Sequence, residues 1–227
     1  MIEFGIFATL IIGGTLGWVI VKSFIGHRYW RRAIAEGDDK AMYAALLEAL
    51  DTWRRMRPSP DVIPSDWRAL QSAEVIAVNG KFCRVSLLAD PDIRVVGGIR
   101  DEVGAAGSVA RRVAVRMAER LLYEIPLIRF EAVQIDVYTQ YRSADGNTES
   151  ECLLTTQLTR AVGMETDWDN LSVEEILSTW QTREGHLGEP LYPDEAALIN
   201  TEESDPILQN SSELATSLLH ESLERKS

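Results

Sequence analysis

The sequence EAVQIDVYTQYR, at residues 131–142, is the clearest strand signal in the chain. From Val133 to Tyr141 it alternates apolar, β-branched or aromatic side chains with polar ones, which is the period of a strand with one buried face. A polar loop containing Asp-Gly follows, and residues 151–160 form a second apolar run. Because Asp-Gly favours tight turns between antiparallel strands, the two runs predict a long antiparallel hairpin.

Shorter elements are predicted on both sides of this hairpin. Asn79-Gly80 separates two apolar runs and favours another hairpin turn. Ser108 is the predicted N-cap of a helix, and Ser172 with Glu175 forms a capping box for a second one. The predicted strands are 74–79 and 81–88, and the predicted helices are 108–124 and 172–182.

This order of elements predicts an α+β fold, with a small, mainly antiparallel sheet and helices packed on one of its faces. Composition divides the whole chain into four regions. They are a transmembrane anchor at 1–26, a juxtamembrane helical hairpin with a Pro-rich connector at 27–69, a cytoplasmic α+β domain at 70–183, and an acidic disordered tail with a short helix at 184–227.

The anchor is predicted from Phe4 to Val21, a run of 18 residues without a charged side chain. As a helix of ~1.5 Å rise per residue it spans ~27 Å, close to the ~30 Å hydrocarbon core of a bilayer. A buried helix of a soluble protein is the alternative. Basic residues follow the run with no acid among them, so the positive-inside rule predicts an inner-membrane protein with its N-terminus outside and its body in the cytoplasm. These residues, also predicted to contact lipid headgroups, are Lys22, Arg28, Arg31 and Arg32.

Small residues recur at four-residue spacing along the predicted anchor, at Gly5, Thr9, Gly13 and Gly17. Such a face lets a second helix approach closely. It predicts packing against a membrane-protein partner or another copy of the chain. The alternative is that glycine is simply common in membrane helices.

An amphipathic helix is predicted over residues 38–57, because Met42, Leu46 and Leu50 recur at helical spacing. Its sequence GDDKAMYAALLEAL, after a basic helix, resembles helical-hairpin segments of repeat proteins and of membrane-anchored bacterial stress proteins. The resemblance covers only residues 37–50 and implies no function. Prolines at 58, 60 and 64 are expected to end the helix and form a connector.

The formal charge of −12 argues against nucleic-acid binding, which needs a basic surface to neutralise phosphates. Two sets of residues are predicted instead to contact protein partners. One is a row of arginines at helical spacing, which suits an acidic partner or alternatively forms a solvated helix face. The other is a leucine stripe in the tail, which suits a groove or alternatively stays solvated and inert. The two sets are Arg112, Arg116 and Arg120, and Leu214, Leu218 and Leu219.

Signals for catalytic chemistry are weak. The histidines, at 27, 186 and 220, all lie outside the predicted domain, which argues against a Ser-His-Asp arrangement and removes the commonest metal ligand. Cys83 and Cys152 are too few for a disulfide framework and are interpreted as small buried hydrophobes. The glycines before residue 108 lack the spacing of a phosphate-binding loop. No cofactor is predicted.

Two functions remain open at this point. The leading interpretation is a membrane-anchored accessory or scaffold subunit of a larger membrane assembly, without an enzymatic activity. The alternative is a divalent-cation-dependent enzyme acting on phosphate esters, since carboxylates collect in and near one predicted loop. Those carboxylates are Asp90, Asp92, Asp101, Glu102 and Asp136, and solvated loop acids are the favoured explanation for them.

Overall fold

The computed structural model describes residues 31–60, 62–96, 99–142, 145–185 and 191–199, with the backbone alone for 93–103. Within these ranges, no helix combines the length and the apolar character needed to span a bilayer. Several predictions fall outside the described residues. They are the membrane helix with Gly5, Thr9, Gly13 and Gly17, the basic residues Lys22 and Arg28, and the tail leucines Leu214, Leu218 and Leu219.

Five α-helices and seven strands make up the described part of the chain, and residues 31–35 are also helical. The helices are α1 (Asp39–Arg55), α2 (Pro64–Gln71), α3 (Ala106–Tyr123), α4 (Arg160–Glu165) and α5 (Val173–Thr179), followed by a 3-10 turn at Pro193–Ala196. The strands are β1 (Glu74–Val78), β2 (Phe82–Leu88), β3 (Asp92–Val96), β4 (Ile99–Gly104), β5 (Ala132–Arg142), β6 (Thr148–Thr159) and β7 (Gln181–Glu184).

The main sheet has five strands in the order β1-β2-β5-β6-β7. All neighbouring pairs are antiparallel except β2 and β5, which run parallel because α3 carries the chain back between them. This confirms a mixed α+β fold with a five-stranded sheet and helices. Strands β3 and β4 form a separate two-stranded ribbon, where the sequence predicted a loop.

Local sequence patterns predicted most of the helices and strands, with errors at a few of their boundaries. Asn79 Oδ1 accepts hydrogen bonds from the amides of Lys81 and Phe82, which closes the predicted β1–β2 turn. The capping box at the start of α5 is confirmed. Helix α3 begins two residues before the predicted Ser108 cap, without a side-chain cap. Helix α2 begins at Pro64 inside the predicted connector, because proline fits the first position of a helix, and it extends past the predicted boundary to Gln71.

The hydrophobic core joins α1 and α3 to the sheet. Val133 and Ile135 of β5 are fully buried and belong to one cluster with Leu121 of α3 and Leu46 of α1. Ile34, in the helical residues before α1, lies in the same cluster and is 6% exposed. The chain turns between these two helical segments at Gly37, whose φ of 75° favours glycine. The region predicted as a separate juxtamembrane hairpin therefore shares the core of the domain.

Candidate functional site

Polar side chains are buried on the face of the sheet that points away from α3. Gln134 and Asp136 alternate along β5 with the apolar residues of the core. Strand pairing brings Arg84 of β2 opposite Gln134, and Thr155 of β6 opposite Asp136. All four residues are at most 3% exposed. These four residues are here called the Arg84 cluster. Burial of a charged group is costly unless it is paired and hydrogen-bonded, so the contacts within the cluster determine whether its charges can be buried.

The Asp136 carboxylate is hydrogen-bonded on both oxygens. Arg84 Nε donates to Oδ2 at 2.6 Å. Thr155 Oγ1 and Gln134 Nε2 donate to Oδ1 at 2.6 and 2.9 Å. Burial alone would lower the pKa of Arg84, but the adjacent carboxylates of Asp136 and Asp194 hold it above its ordinary value. The guanidinium of Arg84 therefore stays charged, and its desolvation is offset by these contacts.

Residues 191–199, here called the strap, lie across this polar face. Asp194 Oδ1 accepts a hydrogen bond from Arg84 Nη1 at 2.5 Å. The Leu198 amide donates to Gln134 Oε1 at 2.9 Å, and Gln157 Nε2 donates to the Ala196 carbonyl. The strap thus contacts the sheet through the Asp194 carboxylate and its own main chain, and the Glu195 carboxylate lies 3.8 Å from Arg183 of β7.

The strap differs from the prediction for the chain beyond residue 184, which was a disordered acidic tail. Low hydrophobicity and excess negative charge favour disorder when a segment has no cation or apolar surface to contact. Here Arg84 offers a cation, and the strap residues Pro193 and Ile199 are buried. The sequence alone gives little sign of this contact, because Arg84 and Asp194 are 110 positions apart.

The predicted arginine row does not form one continuous surface. Arg112 makes a two-pronged contact with Asp66, with Nη2 2.7 Å from Oδ1, and also reaches Asp92 at 3.0 Å. Arg120 lies 5.3 Å from the centre of the Trp53 ring. Arg116 is exposed. The helix is the predicted one, but two of its three arginines contact neighbouring elements of the same domain.

We expect Arg112→Ala to lower the free energy of unfolding by about 2 kcal/mol, because it leaves the buried Asp66 carboxylate without its charged partner. Arg116→Ala, one turn along the same helix and exposed, is the matched control and should change it by less than about 0.5 kcal/mol. Urea unfolding of the full chain in detergent micelles measures both. Equal losses would contradict the structural role assigned to Arg112.

The carboxylates of the alternative enzyme hypothesis do not converge among the described side chains. Asp92 accepts hydrogen bonds from Ser65 and Arg112, whereas Asp136 belongs to the Arg84 cluster. Asp101 and Glu102 lie on β4, where only the backbone is described. Within the side chains that are described, no group of three or more His, Cys, Asp or Glu residues is arranged to hold a metal ion.

Both cysteines lie in buried positions as free thiols. Burial raises the pKa of the Cys152 thiol to about 12, and the nearby Asp136 carboxylate adds to the rise. Burial also raises the pKa of Cys83. A thiol is nucleophilic as its thiolate, so neither cysteine is activated in this arrangement.

The most developed polar arrangement in the described part of the chain is therefore the Arg84 cluster with the strap across it. It combines a buried ion pair, a side-chain carboxylate from a distant segment, and side-chain groups that contact main-chain atoms. This arrangement holds a segment of the protein's own chain against the sheet. Comparison with family models, curated proteins and solved structures finds no match to this chain.

Proposed function

We propose that the chain is a membrane-anchored cytoplasmic scaffold, an accessory subunit that holds a partner in a larger membrane assembly. The supporting observation is the short link between the predicted anchor and the folded domain. Arg31 and Arg32, expected at the lipid headgroups, lie within one helical turn of Ile34, which is buried in the core. A link this short holds the domain at the membrane surface in a restricted orientation.

The charged contacts inside the domain also favour a scaffold over an enzyme. Asp136 is hydrogen-bonded on both oxygens, and Asp66 is held by Arg112. Such saturated pairs stabilise the fold and fix its shape. A general acid or base needs instead a group free to exchange a proton with a substrate. A binding role uses the rigid surfaces that these pairs produce.

A projecting hairpin provides one such surface. Strand β2 follows β5 only as far as Tyr138, and β7 follows β6 only from Leu154 onward. The hairpin continues beyond both, with Tyr141 paired to Glu149 by a 3.1 Å hydrogen bond. Over this projecting part no other described strand pairs with it, so its outer main-chain groups are open to a partner strand.

The membrane part of the proposal is tested by replacing Gly13 and Gly17 with Leu. These substitutions add bulk to the small-residue face and should prevent close approach of a partner helix. We expect recovery of membrane partners, or of a second tagged copy, to fall about tenfold in a mild-detergent pull-down from native membranes, corresponding to about 1.4 kcal/mol.

Gly14→Leu is the matched control, because residue 14 lies on a different face of the predicted helix. It should leave recovery of the partners unchanged. Unchanged recovery with both Gly13→Leu and Gly17→Leu in place would contradict packing through this face. Recovery of the wild-type protein alone would contradict the scaffold function itself.

A further inference from the structure

The sheet holds the strap largely through main-chain atoms. Gln134 accepts from the Leu198 amide, Gln157 donates to the Ala196 carbonyl, and Arg183 Nη2 donates to the Tyr192 carbonyl at 3.3 Å. Main-chain contacts of this kind do not depend on the identity of the side chains in the segment. A different peptide in the same extended path could make all three.

The charged contacts of the strap are also exchangeable. Glu195 lies 3.8 Å from Arg183 and its side chain is 67% exposed, and the other contact joins Asp194 to Arg84. Arg84 and Asp136 neutralise each other, and their side chains are 2% and 1% exposed. The Asp194 side chain is 73% exposed, so its attraction to Arg84 is partly screened by water. Removing Asp194 therefore leaves no buried charge without a partner. Another carboxylate could replace it at little cost.

The strap leaves space at its C-terminal end. A cavity of about 170 Å³ lies beside Leu198 and is lined by Ala132, Leu158 and Trp180 among others. The indole N–H of Trp180 is buried and has no hydrogen-bond acceptor within the described part of the protein. A segment with a larger side chain at this position could fill more of the cavity than Leu198 does.

We infer that the polar face of the sheet is a binding site for an acidic peptide segment of a partner protein, and that the strap occupies this site as an intramolecular competitor. The partner segment carries a carboxylate that reaches Arg84 and, four residues later, an apolar side chain beside Trp180. This inference deepens the proposed scaffold function and rests on it, since it names a second surface, besides the projecting hairpin, through which the scaffold binds a partner.

The test uses a fluorescein-labelled peptide with the sequence of residues 189–201 and the full-length protein in detergent micelles. The attached strap competes at an effective concentration on the order of millimolar. Replacing residues 191–199 by a Gly-Ser segment of equal length should therefore tighten peptide binding at least about tenfold, as measured by fluorescence anisotropy. The milder Asp194→Ala variant keeps the strap, and should tighten binding about threefold.

Gln157→Ala, made in the strap-replaced protein, should weaken peptide binding about fivefold, because it removes the donor to the Ala196 carbonyl. Asp51→Ala is the matched control for Asp194→Ala, because it also removes an exposed, ion-paired acid. It should leave peptide binding unchanged. Equal affinity of the wild type and both strap variants would overturn the inference, as would unchanged binding in Gln157→Ala. The readout needs no membrane partner, so it fails or succeeds independently of the Gly13 and Gly17 test.

Discussion

Asp136→Ala is expected to destabilise the domain by about 3–5 kcal/mol, which is a large part of the stability of a typical domain. The substitution leaves the Arg84 guanidinium buried beneath the strap with only the exposed Asp194 as a counter-charge. It also removes the acceptor for Thr155 and Gln134. Urea unfolding of the full chain in micelles, followed by tryptophan fluorescence, measures the loss.

Asp194→Ala is the matched control, since both acids contact the same guanidinium and differ in burial. The Asp136 side chain is 1% exposed and that of Asp194 is 73% exposed. Exposed ion pairs contribute at most about 1 kcal/mol, so the control should lose no more than that. Similar losses for the two variants would show that burial does not determine the strength of this network.

Leu46→Ala is expected to destabilise the domain by about 2–5 kcal/mol, because it opens a cavity between α1 and the rest of the core. Leu46 is fully buried and lies in one cluster with residues of the sheet and of α3. The same unfolding experiment measures this loss. The result tests whether α1 is part of the domain core, since a helix outside the core would tolerate the change.

Its neighbour provides the control. Leu47 lies on the same helix and is 41% exposed, so Leu47→Ala removes the same atoms with little burial to lose. A change below about 0.5–1 kcal/mol is expected for it. If both leucines were equally tolerant, α1 would be only loosely attached to the core, and a short link to the predicted anchor would not orient the domain.

Elements encoded by neighbouring residues were predictable from the sequence. The β5–β6 hairpin follows from strict alternation and an Asp-Gly loop, and its strands pair along their whole length. The capping box of α5 and the Asn79-Gly80 turn are equally local. Each of these signals lies within a few positions along the chain, which is why a sequence pattern detects them.

Contacts between distant residues were not predictable in this way. Asp136 was considered as a cation ligand, whereas it pairs with Arg84, 52 positions away. The spacing of Arg112 indicates a helix face but does not reveal Asp66 or Asp92 across from it. Strand β7 is four residues long, which is too short for an alternating pattern of apolar and polar residues to be recognised in the sequence. Such features depend on tertiary packing, which overrides local propensity.

The long separation between Arg84 and the strap has a consequence for biosynthesis. Contacts between residues 110 positions apart require closure of a large loop and form late in folding. Chains emerge from the ribosome N-terminus first, at about 5–20 residues per second. Arg84 and Asp136 therefore emerge seconds before Asp194 does. During that interval no strap lies across the polar face of the nascent sheet, so under the proposed function a partner protein can engage this face first.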